Sequence, residues 1–142
     1  MIYPLKQDFL TPAVYKIYSQ CMYAPTYEKF TEKARSYLDA PNTEIYGFYE
    51  DNTFLGVIVL QPKSQNTAEI VGIAVERTHQ HRHIGKELIQ YAATAGHYTG
   101  LYAETDEDAV LFYARCGFET EAFQAVYDGI PCRRYRCILP SS

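Results

Sequence analysis

Residues 79 to 88 read HQHRHIGKEL, and two chemistries are open to them. His79, His81 and His83 alternate, and imidazoles that point the same way can hold a transition metal. Alternatively, Arg77, Arg82 and Lys86 surround Gly85 where a loop turns into a helix. Such a place suits a phosphate, because a helix N-terminus offers unpaired N–H groups and the positive end of its dipole. A glycine there lets the backbone approach its ligand closely.

The flanking residues decide between the two. Alternating side chains converge only on a strand of period two, whereas this segment runs from an apolar strand, AEIVGIAV, through a polar turn into a helix beginning at Ile84. The helix shows in the spacing of Ile84, Leu88, Ala92 and Ala95, with Gly96 or Gly100 to end it. An anion cradle is therefore expected and a metal is not.

Elements before and after this unit can be read in the same way. LTPAVYKIYSQCMY starts a helix with Thr11 as N-cap and Pro12 at its first position, and Leu10, Val14, Ile17 and Cys21 form its apolar stripe. A second amphipathic helix follows APT, with Tyr27, Phe30, Ala34 and Tyr37 on one face. EIYGFYE and FLGVIVLQP, separated by the polar turn DNT, form a hairpin. After the central helix come a short strand, GLYAE, and a helix, TDEDAVLFYARCG, with Thr105 as cap and Gly117 just past its end. FETEAFQAVY and CRRYRCIL close the chain as a hairpin about the turn DGIP. The order implies an α/β fold: one domain over residues 1–142, with a mixed, mostly antiparallel twisted sheet of about six to seven strands and helices on both faces.

Bulk composition narrows the function. The 142 residues are 47% hydrophobic and 21% charged, ordinary for a globular chain long enough to bury a core. A net charge of -4 and a pI near 5.5 argue against nucleic-acid and anionic-membrane partners. No apolar run approaches bilayer length and MIYPLKQDFL lacks the marks of a signal peptide. Cys21, Cys116, Cys132 and Cys137 show no CxxC spacing, which favours free thiols and a cytoplasmic location. The 14 tyrosines suggest a pocket with several hydroxyls, although any single Tyr is more often a half-buried strand residue.

Together these residues carry a resemblance. Gln80-His-Arg-His-Ile-Gly85 resembles the acyl-CoA pyrophosphate loop, Q/R-x-x-G-x-G/A, of the GNAT acetyltransferases. AEIVGIAV is similar to their fourth strand, AVLFYARCGF to their Ala-x-x-x-Tyr-x-x-x-Gly-Phe signature, and YDGIPCRRYRCIL to their closing hairpin, in order from about Glu44 to Leu139. The resemblance implies acetyl-CoA as acyl donor and no metal. It places the pyrophosphate on Gln80, His81, Arg82, His83, Ile84, Gly85 and Lys86, and the pantetheine arm on the backbone of Ile73, Ala74 and Val75. Two positions depart from the pattern. His83 stands where the first loop glycine is usual, and Asp106 where Asn often lies beside the pantetheine arm.

The implied reaction moves acetyl from a thioester to a primary amine of a small molecule or an exposed protein amine. It needs a neutral amine and a proton for the departing thiolate. Tyr113 matches the family's general acid, and a phenol of pKa about 10 can donate to a thiolate of similar basicity. Glu69 is the candidate base and Glu104 its rival, and either would attract a cationic amine. Gly72, inside an apolar strand, marks a bulge or a close backbone approach. Tyr23, Tyr27 and nearby carboxylates suggest an aromatic cage for the acceptor. Arg133, Arg134 and Arg136 are expected to pair with Glu119 and Glu121 across the last hairpin. The alternative to an enzyme is a catalytically silent acyl-CoA sensor, and a homodimer is compatible with either.

Overall fold

The computed structural model describes residues 1–139, apart from the side chain of His81. Seven strands form one sheet in the order β1-β2-β3-β4-β5-β7-β6. They are β1 (Ile2–Pro4), β2 (Glu44–Glu50), β3 (Thr53–Pro62), β4 (Thr67–Val75), β5 (Gly100–Thr105), β6 (Glu119–Tyr127) and β7 (Ile130–Leu139). Every adjacent pair is antiparallel except β4 and β5. The α-helices are α1 (Pro12–Tyr18), α2 (Tyr27–Asp39), α3 (Ile84–Ala95) and α4 (Glu107–Arg115). The sheet and helix count match expectation, but β1 has no counterpart in the sequence reading. Three residues ending in Pro4 are too few to show alternation, and the strand exists because its edge pairs with β2.

Turn chemistry sets the hairpins. Asp51 and Asn52 both have positive φ between β2 and β3, as do Asp128 and Gly129 between β6 and β7. Two left-handed residues give the turn whose twist matches antiparallel strands.

Each face of the sheet has its own core. Phe9, Val14, Tyr18, Phe30, Ala34 and Tyr37 pack under α1 and α2 against Ile45, Val57 and Val59. On the other face, Ile84, Leu88, Ile89 and Ala92 of α3 and Tyr113 of α4 pack on Ile58, Leu60, Ile70 and Ala103. β3 is buried from Leu55 to Leu60 because helices cover both its sides, which is why its sequence runs apolar without alternation. Thr11 caps α1 by accepting from Val14 N–H, as expected.

β4 changes face through a bulge. Val59 pairs with Gly72 and Leu60 with Ile70, so Val71 is an extra residue on β4. Ala68 and Ile70 before it and Val75 after it face the α3 layer, whereas Val71 and Ala74 face α1 and α2. At Gly72 the Tyr18 hydroxyl closes on the strand so tightly that a Cβ would lie 2.0 Å from it. That hydroxyl is in turn 3.0 Å from the hydroxyl of Tyr37, both rings being buried. Gly72 is therefore a close-approach glycine beside a bulge.

A side chain at this position would force Tyr18 off Tyr37. Gly72→Ala should destabilise the protein by about 1–3 kcal/mol, the usual cost of overpacking a core. The check is urea unfolding of parent and variant, with a loss below about 0.5 kcal/mol counting against the packing account.

Candidate active site

The parallel strands β4 and β5 pair only over Thr67–Gly100, Ala68–Leu101 and Glu69–Tyr102. Beyond Glu69, β4 continues to Val75 beside β3 alone, while β5 turns away beside β7. A fork results, and the edge of β4 from Ile70 to Val75 faces no strand across it. The backbone of Ile73, Ala74 and Val75, expected to hold an extended arm, lies on this edge. Gln80 Nε2 donates to Val75 O at 3.2 Å and to Gln20 Oε1 at 3.2 Å, bracing the loop against the strand's end.

The loop itself is a 3-10 turn, Arg77–Arg82, that hands over to α3 at His83. Glu76 caps the turn by accepting from Thr78 N–H, and its carboxylate also bonds His79 Nδ1. The Thr78 hydroxyl donates to the same carboxylate, and that bond first, then the one with His79, holds the Glu76 carboxyl down at about 2. His83 has φ 63 and ψ 19, the left-handed conformation that glycine adopts most easily. His83 thus stands, at the position where the resemblance implies a glycine, in a conformation that favours one. α1, α2 and α4 each begin with a side-chain cap, from Thr11, Thr26 and Asp106, whereas α3 begins with none. Its first N–H groups are thus left for another acceptor.

Other loop residues differ from the simplest picture. Gly85 is buried against α4, where a Cβ would meet the Phe112 ring at 2.7 Å, so the small residue serves close packing of α3 on α4. Ile84 belongs to the core, while Lys86 is exposed. Arg82 makes two hydrogen bonds to Glu50, at 2.9 and 2.6 Å. The side chain of His81 lies outside the described residues. His79 is committed to Glu76, and among the described residues no three metal-ligating side chains gather.

Tyr113 owes its position to the end of α4. Phe118 N–H donates to Tyr113 O at 3.1 Å and Gly117 N–H to Ala114 O at 3.0 Å, the paired bonds of a Schellman motif, with Gly117 at φ 94. The apolar contact that goes with this motif is between Tyr113 and Phe118, whose rings meet edge to face at 5.2 Å. The spacing Tyr113-x-x-x-Gly117-Phe118 is therefore a helix-stop device that clamps the tyrosine ring. Only 5% of Tyr113 is exposed. Burial, reinforced by the thiols of Cys21, Cys137 and Cys116, pushes its phenol well above the ordinary value.

Glu69 stands at the point of the fork, with Lys63 Nζ 3.5 Å away. Glu104, the rival base, is held by Arg136 at 2.8 Å, and Arg134 donates to the Glu104 carbonyl. This corrects the expected hairpin pairing. Arg136 reaches across β7 to β5 rather than to Glu121, and the guanidinium groups of Arg133, Arg134 and Arg136 lie over Tyr135, Tyr127 and Phe123. Two further expectations change. The cap of α4 is Asp106, which accepts from Asp108 and Ala109 N–H, while Thr105 ends β5. No cage joins Tyr23 and Tyr27: Tyr23 is 94% exposed, and Tyr27 packs on Tyr15 and Phe30. Glu50 and the contact of Phe112 with Gly85 were missed, because both depend on partners brought from other elements.

The fold recurs in known proteins. The chain matches the profile of the Acetyltransferase (GNAT) family over residues 11–118. A GNAT family acetyltransferase from Elizabethkingia anophelis, solved with acetyl-CoA bound, superposes with a TM-score of 0.69 at 23% identity, covering 99% of this chain and 97% of that one. A GNAT family protein from Desulfovibrio desulfuricans gives 0.77 at 22% identity, covering 100% and 99%. The ribosomal-protein-S18-alanine N-acetyltransferase from Escherichia coli gives 0.73 at 18% identity, covering 100% and 94%. No curated protein matches the sequence. With three quarters of its length under the family profile, the chain belongs to the GNAT acetyltransferases.

Proposed function

We propose that the protein is an acetyl-CoA-dependent N-acetyltransferase that moves acetyl directly to a primary amine of a small molecule or an exposed protein amine. The observation that carries this reading is the conjunction of the open β4 edge with the uncapped N-terminus of α3. An extended amide-bearing arm suits the first, and a pyrophosphate suits the second. The amine acceptor is supported by the name of the S18-alanine acetyltransferase that shares the fold, and by a carboxylate at the fork.

In this reading the residues from Gln80 to Lys86 hold the pyrophosphate, and the backbone of Ile73, Ala74 and Val75 holds the pantetheine arm. Asp106 lies at the mouth of β5 with one oxygen spent on its helix. Bound acetyl-CoA supplies an acetyl group activated as a thioester. Glu69 takes the proton of the acceptor ammonium through a water, leaving the amine lone pair free. Lys63 Nζ lies 3.5 Å from this carboxylate. Tyr113 presents its hydroxyl proton to the departing thiolate sulfur. Burial raises its pKa, so it stays protonated across the physiological range. Glu104, already paired with Arg136, is the weaker candidate base.

Three measurements test these roles. Because no hydrogen bond contributes to the setting of the Tyr113 phenol, Tyr113→Phe should fold and bind acetyl-CoA like the parent. Its turnover should fall on the order of a hundredfold, roughly 2.7 kcal/mol of transition-state stabilisation, with saturating donor and chemistry rate-limiting. Since the shift is upward, no alkaline loss of turnover below about pH 10 should trace to this residue. Parent-like turnover would make the hydroxyl structural.

Glu69→Gln keeps shape but removes the proton acceptor. Turnover should drop, and the rising acid limb of its pH profile should vanish or move upward. A profile identical to the parent's would pass the role to Glu104 or to an amine that arrives neutral.

His83→Gly removes a side chain from a left-handed backbone, which costs about 1–2 kcal/mol in an L-residue and is partly offset by glycine's greater unfolded-state freedom. Thermal unfolding should show a net gain of about 0.5–1 kcal/mol, with CoA affinity equal or tighter. A large loss of affinity would show that the imidazole itself contacts the ligand.

A further inference from the structure

Arg82, the last residue before His83 and the uncapped start of α3, already holds an anion. Nη1 donates to Glu50 Oε1 at 2.9 Å and Nη2 to Oε2 at 2.6 Å. This two-pronged grip on a planar carboxylate is the one a guanidinium also makes with phosphate oxygens. Glu50 ends β2, 32 residues away in sequence, and so comes from an element that is not part of the loop.

The pair has little structural work to do. Both side chains are about half exposed, at 50% and 40%, and exposed pairs of this kind add little to stability. His79 of the loop is likewise bonded to a carboxylate, that of Glu76. Lys86 of the loop forms no ion pair among the described residues, so Arg82 is the loop cation whose charge is spent within the fold. A diphosphate arriving at α3 must either do without that guanidinium or take it from Glu50.

We propose that Glu50 is a placeholder for the cofactor's phosphate: it holds the Arg82 guanidinium beside the loop in the free enzyme and yields it to the pyrophosphate when CoA binds. The proposal rests on the assignment of the loop to CoA. Its physical content is competition. The apparent dissociation constant is raised by the fraction of Arg82 held on Glu50, and the exchange is favourable because two phosphate charges replace one carboxylate. Glu50 thereby sets CoA affinity and its dependence on salt without touching the reacting atoms.

Calorimetric titration of CoA into parent, Glu50→Gln, Arg82→Gln and the double variant tests this at low and physiological salt. Thermal unfolding serves as the control for folding. Glu50→Gln should tighten CoA about two- to fivefold at low salt, roughly 0.4–1 kcal/mol, and the gain should shrink as salt rises. Arg82→Gln should weaken binding, and in its background Glu50→Gln should change nothing. Affinity in Glu50→Gln equal to or weaker than the parent's overturns the proposal. So does an undiminished gain in the Arg82→Gln background, which would mean simple relief of negative charge. A parent that binds no CoA overturns the loop assignment as well, a result distinct from a binding parent with an indifferent Glu50→Gln.

Discussion

The parting of β4 and β5 after three residue pairs is the constraint on which the rest of the molecule depends. Backbone N–H and C=O groups left unpaired in a protein interior are costly, so a sheet opens in its middle only where something else meets them. Here the arms of the fork are held by different partners. β4 stays on β3 and, through Gly72, under the Tyr18–Tyr37 hydroxyl pair. β5 stays on β7, with Arg136 tying their ends to Glu104. The bulge at Val71 lets β4 serve both cores while it leaves β5 behind. Neither arm can close the gap without losing its own layer.

The two side chains to which acid and base roles are proposed, Tyr113 and Glu69, are fixed in different ways. Tyr113 is fixed by the stop signal of α4, where Gly117 supplies the left-handed residue and Phe118 supplies the ring that clamps it. α4 in turn lies close to α3 because Gly85 has no side chain to keep Phe112 away. The loop before α3 and the helix that carries Tyr113 are thereby joined through one packed contact. Glu69 marks the last shared pair of the fork, where a carboxylate can be solvated and still face the cleft.

Charge in the loop is managed rather than merely accumulated. An anion site built from unpaired cations would repel itself and attract any anion. Glu50 on Arg82 holds part of that charge in check. The uncapped N–H groups of α3, whose dipole cannot be neutralised by rearranging a side chain, remain as the standing attraction.

By itself the sequence determined what depends on neighbours within a few residues. Thr11 with Pro12, the left-handed turn residues Asp128 and Gly129, the period of Ile84, Leu88 and Ala92, and Gly117 after α4 could all be read because caps, turns and helix faces are local. So could the loop before α3 and the tyrosine four residues ahead of its glycine. Tertiary structure alone decided what needs a partner from afar: the edge strand β1, Tyr18 on Gly72, Phe112 on Gly85, and Arg136 choosing Glu104 over Glu121. A side chain's choice among several oppositely charged or apolar partners turns on distances of a few ångströms. Those distances are set by how the layers stack, and no spacing along the chain encodes them.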